Sequence, residues 1–413
     1  MLYGQFNDSF PPLTDGVAQT ALNYTKWLNR NHGMACAVTP LHSGADDSKY
    51  DFRVIRYPAV PLPKSGKYWL GMPRLSASIM YKLYDLPFDL VHAHSPFSAG
   101  TLALRVAKHR GIPIVATFHS KFAEDFAQRL NSEIAGKIVA DWTVQFYSMA
   151  DSVWAVNKGT ANTLMEYGYR GDIMVMPNGC DMPKSYRQGN EKKQILEKYA
   201  LAEGPLLLFV GRLCQQKNPD MLLEAAYELK KADKQFSLLY VGDGELMEKL
   251  RKMTEKLELR GRVAFTGKIL DREKLKEIYL ASDLFILPST YDNAPLVVRE
   301  AAACGLPSLL IEDSNSAEGV TNNVNGFTAR LEKNSLVKRL TELLERSDVL
   351  QGVGEMARKS IYVSWEEIVA KAAGEYDRLI RNNTKHKLDE YSMPKINAAI
   401  NKIHHIITDR QSL

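Results

Sequence analysis

Short aliphatic and β-branched runs alternate with longer helical patterns along all 413 residues, and this alternation limits the fold more than any other feature. In the first half the runs fall at 2–6, 36–39, 90–93, 114–118, 152–156 and 173–176. In the second half they fall at 206–210, 237–241, 262–266, 284–287 and 308–311. Helical periodicity fills intervals such as 17–31, 221–231, 246–257 and 272–281. Runs that stay apolar without strict alternation suit parallel strands covered on both faces. Strand–helix repetition of this kind builds a doubly wound sheet, and here it occurs twice. The expected architecture is α/β, with two doubly wound parallel-sheet domains facing each other across a cleft.

The length agrees, since 413 residues exceed one ordinary core and suit two. The polar stretch 181–204 lies between the two strand series and reads as a linker between domains 1–180 and 205–363. A formal charge of +5 is too weak to indicate nucleic acid; it suits anionic small molecules or an anionic membrane surface. Cys36, Cys180, Cys214 and Cys304 are scattered, so neither a disulfide framework nor a zinc site is expected. The opening M-L-Y-G-Q-F lacks the basic start and long apolar stretch of a secretion signal, and no run approaches a membrane-spanning length. The expected location is cytoplasmic, with a peripheral position on the inner face of the cell membrane as an extension of that reading.

The chemistry-bearing segments follow strand candidates directly, where open parallel sheets bind ligands. In G-R-L-C-Q-Q-K, Gly211 lets the chain turn, Arg212 offers a planar fork for phosphate oxygens, and Lys217 adds a point charge. A solvated basic loop is the plainer account of the same residues. In S-T-Y-D-N-A-P-L-V-V-R-E, Pro295 suits the first turn of a helix beginning near 293–295. The free amides of such a helix start form an anion site. Asp292 and Glu300 beside it then read as acceptors for sugar hydroxyls, or as an N-cap and an ordinary helix residue. V-G-D-G-E, with Gly242, is either a close ligand approach or a tight turn. H-A-H-S-P and T-F-H-S-K place histidines, His119 among them, at two strand ends of the first half. No aspartates stand in D-x-D spacing, so no metal is assigned, and Arg212, Lys217 and a helix terminus must neutralise a diphosphate. The phosphate loop of nucleotide hydrolases and the dinucleotide fingerprint are both lacking, which argues against ATP hydrolysis and ordinary dinucleotide binding, and no cofactor is assigned.

Taken together, these segments resemble the family 4 retaining glycosyltransferases of the GT-B fold, two facing Rossmann-like domains, over roughly residues 2–383. The resemblance rests on D-S-F-P-P-x-x-D-G-V, the two histidine strand ends, P-N-G-C-D, G-R-L-x-x-x-K, V-G-D-G, V-A-F-T-G-K and the acidic pair ahead of G-L-P. It implies a diphosphate held by Arg212 and Lys217, ribose by Glu300, and the base by backbone near Lys268. It also implies donor sugar and phosphate contacts from Asp292 and the backbone of Ala294, Pro295 and Leu296. Gly16 would lie close to the diphosphate and His119 would line the reaction centre. Two departures stand out: Asp292 occupies a position usually held by Glu, and Gly16 is a single glycine where many relatives have two. The resemblance further implies that residues 364–383 form a helix crossing back to the first domain, leaving 384–413 as a basic amphipathic tail.

Mechanistically, the expectation is retention by same-face attack, with the departing phosphate helping to take the acceptor proton and domain closure excluding water. The D-G-V and T-F-H-S-K-F segments look most like enzymes that glycosylate membrane diacylglycerol. Residues 63–70, which mix cations with aromatics, and the isoleucine stripe Ile396, Ile400, Ile403 and Ile407 are consistent with a lipid surface, a protein partner or ordinary packing. A polyprenyl-linked or cell-surface polysaccharide acceptor is the rival within transferases. A sugar-nucleotide epimerase or a catalytically silent partner subunit is the rival from another class.

Overall fold

The computed structural model describes residues 1–61 and 69–383. The stretch 63–70 therefore enters only through Trp69 and Leu70, and the isoleucine stripe lies outside the described residues. The chain divides into two compact units, Met1–Asn178 together with the segment beginning at Trp365, and Gly179–Ser364.

The first unit holds strands β1 (Leu2–Phe6), β2 (Met34–Pro40), β3 (Arg53–Tyr57), β4 (Ala59–Pro61), β5 (Trp69–Gly71), β6 (Leu90–Ala93), β7 (Ile114–Phe118), β8 (Ser152–Ala155) and β9 (Ile173–Val175). Its helices are α1 (Gly16–Asn31), α2 (Ala77–Asp85), α3 (Ser98–Arg110), α4 (Phe122–Leu130), α5 (Glu133–Tyr147) and α6 (Lys158–Glu166). Seven strands form one parallel sheet in the order β3-β2-β1-β6-β7-β8-β9, and β4 pairs antiparallel with β5 apart from it. The order reverses between β1 and β6, and it is beyond the carboxyl ends of strands at such a reversal that open parallel sheets bind ligands. Helix α1 starts there because the Asp15 carboxylate caps it, accepting from the Ala18 amide at 2.7 Å. Ala18, Ala21, Tyr24, Thr25 and Leu28 then repeat at helical spacing and are buried.

The second unit holds α7 (Glu191–Lys198), β10 (Leu206–Val210), α8 (Pro219–Lys231), β11 (Ser237–Val241), α9 (Met247–Lys256), β12 (Val263–Phe265), α10 (Arg272–Ala281) and β13 (Leu284–Leu287). It continues with α11 (Leu296–Ala303), β14 (Ser308–Ile311), β15 (Phe327–Ala329), α12 (Lys333–Glu345) and α13 (Asp348–Ser360). Its six-stranded parallel sheet runs β12-β11-β10-β13-β14-β15 and reverses between β10 and β13. Every residue of these two central strands is buried, as covering helices on both faces require. Residues 181–204 are not a free connector. Helix α7 forms within them, Ile195 and Leu196 are buried, and Arg187 and Lys192 pair with Asp283. The charges that made this stretch look solvated are engaged by acids of the same unit.

Helix α14 (Trp365–Arg381) belongs to the first unit. Trp365 and Tyr376 are buried there, and Tyr376 stacks on Trp154 at 5.6 Å with ring planes 12° apart. The Tyr376 hydroxyl meets His92 Nδ1 at 2.5 Å, tying the helix to β6.

Candidate functional site

In the second unit, the loops after β10 and β13 carry the residues singled out from sequence, and both lie at the point where strand order reverses. Asn218, in the left-handed conformation at φ 47°, turns the first loop into α8, and its amide donates to the Pro288 carbonyl at 2.8 Å. Ser289 Oγ donates to the Gln216 carbonyl at 3.2 Å and accepts from the amides of Tyr291 and Asp292. The two loops are thus held as one ledge. On it Lys217 Nζ lies 2.5 Å and 2.6 Å from the two Asp292 oxygens, both side chains less than one-fifth exposed. Arg212 is exposed, and its guanidinium makes no hydrogen bond or ion pair among the described residues.

Helix α11 begins at Leu296, later than the expected 293–295, because Pro295 stands outside it as the N-cap with an extended ψ of 124°. Asp292 is not that cap; its carboxylate turns to Lys217 instead. The segments bearing Ala294, Pro295 and Leu296 are half-buried, and the approach is braced by Ser316 Oγ donating to the Asp292 carbonyl at 3.1 Å.

Glu300 is 5% exposed, and both its oxygens are engaged: one accepts from Arg272 Nη2 at 2.8 Å, the other from the Tyr279 hydroxyl at 2.8 Å. Burial raises its carboxyl above the ordinary range, while the Arg272 guanidinium pulls it down. Arg272 also bonds Asp181 at 2.6 Å. Each of the two acids therefore has its own cation, Lys217 for Asp292 and Arg272 for Glu300. Glu300 can therefore accept from a further hydroxyl only by sharing an occupied carboxylate.

Gly242, at φ 143°, lies against the first loop: a Cβ there would collide with the Gly211 carbonyl oxygen. Its amide donates to the Gly267 carbonyl at 2.9 Å, which places Lys268 beside the same turn. The glycine thus serves backbone packing between strand ends, whatever ligand also comes near.

In the first unit, Gly16 is the first residue of α1, and nothing lies within 4 Å of where its Cβ would be. His119 follows β7 and is 7% exposed. His94 Nε2 is 2.8 Å from Gln5 Oε1, and His94 Nδ1 is 3.3 Å from His119 Nε2. With the Gln5 oxygen as acceptor, His94 donates from Nε2, so its Nδ1 accepts and His119 Nε2 donates. Burial pulls His119 down to about 3, and His92 and His94 fall well below the usual range for the same reason, with neighbouring imidazoles adding to it. These rings are neutral at physiological pH and act as hydrogen-bonding groups, not as cations.

Sequence reasoning missed Arg272 and Tyr279. They stand seven apart on one face of α10, which marks a face but not its partner. Asp181 lay within the P-N-G-C-D segment without a role. No group of three His, Cys, Asp or Glu side chains among the described residues is arranged to hold a metal ion. No helix among them is long and apolar enough to cross a membrane.

Residues 14–183 match the family model for Glycosyltransferase Family 4, and residues 191–360 that for Glycosyl transferases group 1. The α-monoglucosyldiacylglycerol synthase of Acholeplasma laidlawii is 24% identical over 401 residues, spanning 93% of this chain and 99% of that protein. The enzyme of the same name from Streptococcus pneumoniae is 27% identical over 315 residues, spanning 74% of this chain and 70% of that protein. An Escherichia coli galactosyltransferase acting on GlcNAc-diphosphoundecaprenol is 31% identical over 266 residues, spanning 61% of this chain and 65% of that protein. Among solved structures, Anabaena HepE in complex with UDP-glucose has a TM-score of 0.72 at 19% identity, covering 91% of this chain and 99% of that one. Sucrose-phosphate synthase from Thermosynechococcus elongatus has a TM-score of 0.74 at 19% identity, covering 92% and 99%. With two family models matching along its length and the two parallel sheets of GT-B enzymes, this chain belongs to the family 4, group 1 glycosyltransferases.

Proposed function

We propose that the protein transfers a hexose from UDP-sugar to a hydroxyl of a membrane lipid, diacylglycerol being the best-supported acceptor, with retention at the anomeric carbon. The observation that supports this reading is the ledge at the reversal point of the second sheet, where the loop carrying Arg212 and Lys217 is tied through Asp292 to the segment leading into α11. Cleaving the sugar–phosphate bond builds negative charge on a leaving diphosphate. Preorganised cations and helix amides stabilise that charge as it forms, and this is the largest contribution such a site can make. Asp292 and Ala294–Leu296 then face the donor sugar, Gly242 and Lys268 border the base, and Gly16 leaves room for phosphate. Neutral His119 presents a hydrogen-bonding ring to the reacting sugar. The phosphate oxygens take the acceptor proton during same-face attack.

Two glycolipid synthases span most of the chain, which favours diacylglycerol. The higher local identity of the diphosphoundecaprenol-dependent enzyme supports a polyprenyl-linked acceptor as the second reading. No metal or cofactor is assigned, and action at the inner membrane face follows from the acceptor. The test is mass spectrometry of purified protein incubated with UDP- and GDP-sugars against diacylglycerol, ceramide and prenyl-phosphate acceptors. A hexosyl-diacylglycerol with its anomeric configuration kept by NMR is expected. Product on prenyl phosphate alone, or free epimerised donor, would replace the reading.

A further inference from the structure

Arg299 stands in the second turn of α11, between buried Val298 and Glu300. Its guanidinium makes no hydrogen bond or ion pair among the described residues, and its Nε is fully buried. The residue as a whole is half-buried, and a partly desolvated cation without a protein partner is retained most readily where a ligand brings the opposite charge. Its direction is constrained. Side chains on a helix lean toward the N-terminus, which for Arg299 is the end at Pro295 and Leu296. The charges acting on it after burial itself are those of Cys180 and Glu318. The segment leading to Glu318 is tethered to that same end of α11, by Ser316 to the Asp292 carbonyl and by Asn315 to Asn293 at 3.1 Å.

The site also has a shortage of positive charge. Lys217 shares its charge with Asp292, leaving Arg212 as the exposed cation of the ledge. A diphosphate carries more than one negative charge, and a guanidinium fork beside helix amides is suited to hold it. We propose that Arg299 is a further donor-binding cation, contacting the diphosphate of the nucleotide sugar together with the α11 N-terminus. This rests on the nucleotide-sugar reading above.

The test uses the full chain, isothermal calorimetry with UDP, uridine and inorganic pyrophosphate, and thermal melts. In Arg299→Gln, UDP and pyrophosphate are expected to bind roughly tenfold or more weakly, with uridine changed by less than about twofold. The ligand-free melting temperature should hold or rise, because an unpaired, partly desolvated charge is removed. Arg299→Lys, which keeps the charge and loses the fork, should fall between the two and serves where the glutamine variant does not fold. Equal affinity of wild type and either soluble variant for UDP, or a parallel loss of uridine, overturns the proposal. A wild-type protein that binds neither UDP, GDP nor pyrophosphate overturns the nucleotide-sugar reading itself.

Discussion

Lys217 and Asp292, 75 residues apart in sequence, form a half-buried ion pair in which one ammonium nitrogen bridges both carboxylate oxygens at 2.5 and 2.6 Å. A diphosphate arriving at this ledge competes with the aspartate for the lysine. Replacing Asp292 by Asn should therefore strengthen UDP binding, by about fivefold for a free-energy gain of about 1 kcal/mol. The same change should lower turnover, since the carboxylate is lost from the sugar side. Lys217→Met should weaken UDP and leave a half-buried acid without its cation. Calorimetry and steady-state kinetics on both variants separate the effects; tighter UDP with unchanged turnover in Asp292→Asn would remove the aspartate from the reaction.

The three neutral histidines make the first unit sensitive to acid. His119 titrates near 3 in the folded chain and near the ordinary value of about 6.5 when unfolded. Between these values the unfolded chain binds more protons, so the stabilisation is full above about pH 6.5 and is lost as pH falls toward 3. His92 and His94 shift in the same direction and add to the slope. His119→Gln keeps a donor for His94 and removes one titrating ring. Its stability, from denaturant titration at pH 7.5, 6 and 5, should fall less steeply than wild type by up to about 1.4 kcal/mol per pH unit. Identical slopes would mean that the ring is not buried neutral.

Two glycines give opposite outcomes on adding one methyl group. Gly242→Ala forces a Cβ into the Gly211 carbonyl at a φ of 143°, so the loop bearing Arg212 must shift. A loss of about 1–3 kcal/mol in stability, with weaker UDP binding, is expected. Gly16→Ala meets open space at the start of a helix and should fold with unchanged or slightly raised stability. A large drop in transfer activity with intact folding would then report a ligand pressed against Gly16; full activity would remove Gly16 from the donor site.

The strand runs and their order were legible because a parallel strand covered on both faces is a continuous apolar run whatever its neighbours. β3 and β15 were not: each lies at a sheet edge, β15 has only three residues, and R-V-I-R-Y reads as part of a polar surface. The candidate ligand loops were legible because Gly211 and Arg212 follow the apolar run ending at Val210, and Asp292 and Pro295 follow the one ending at Leu287. Their pairings were not, since nothing local in D-R-E-K says that Arg272 will reach Glu300 and Asp181. The misread linker has the same cause: Arg187 and Lys192 look solvated until Asp283, distant in sequence, is placed beside them.

The Glu300 arrangement yields a graded prediction. Its carboxylate is nearly inaccessible, whereas Arg272 is 42% exposed, so water replaces part of what Arg272 supplies. Arg272→Met leaves a buried acid with one donor and should cost about 1–3 kcal/mol. Tyr279→Phe removes a neutral donor from the other oxygen and should cost about 1 kcal/mol. Their combination should exceed the sum, because the acid then loses both the Arg272 and Tyr279 donors and must take a proton or draw in water. If Glu300 also shares its carboxylate with ribose, UDP should rescue the melting temperature of Tyr279→Phe by more than it shifts wild type, because the vacated lone pair accepts a ribose hydroxyl. Equal shifts would leave Glu300 as a brace between α10 and α11 and transfer ribose recognition to another group.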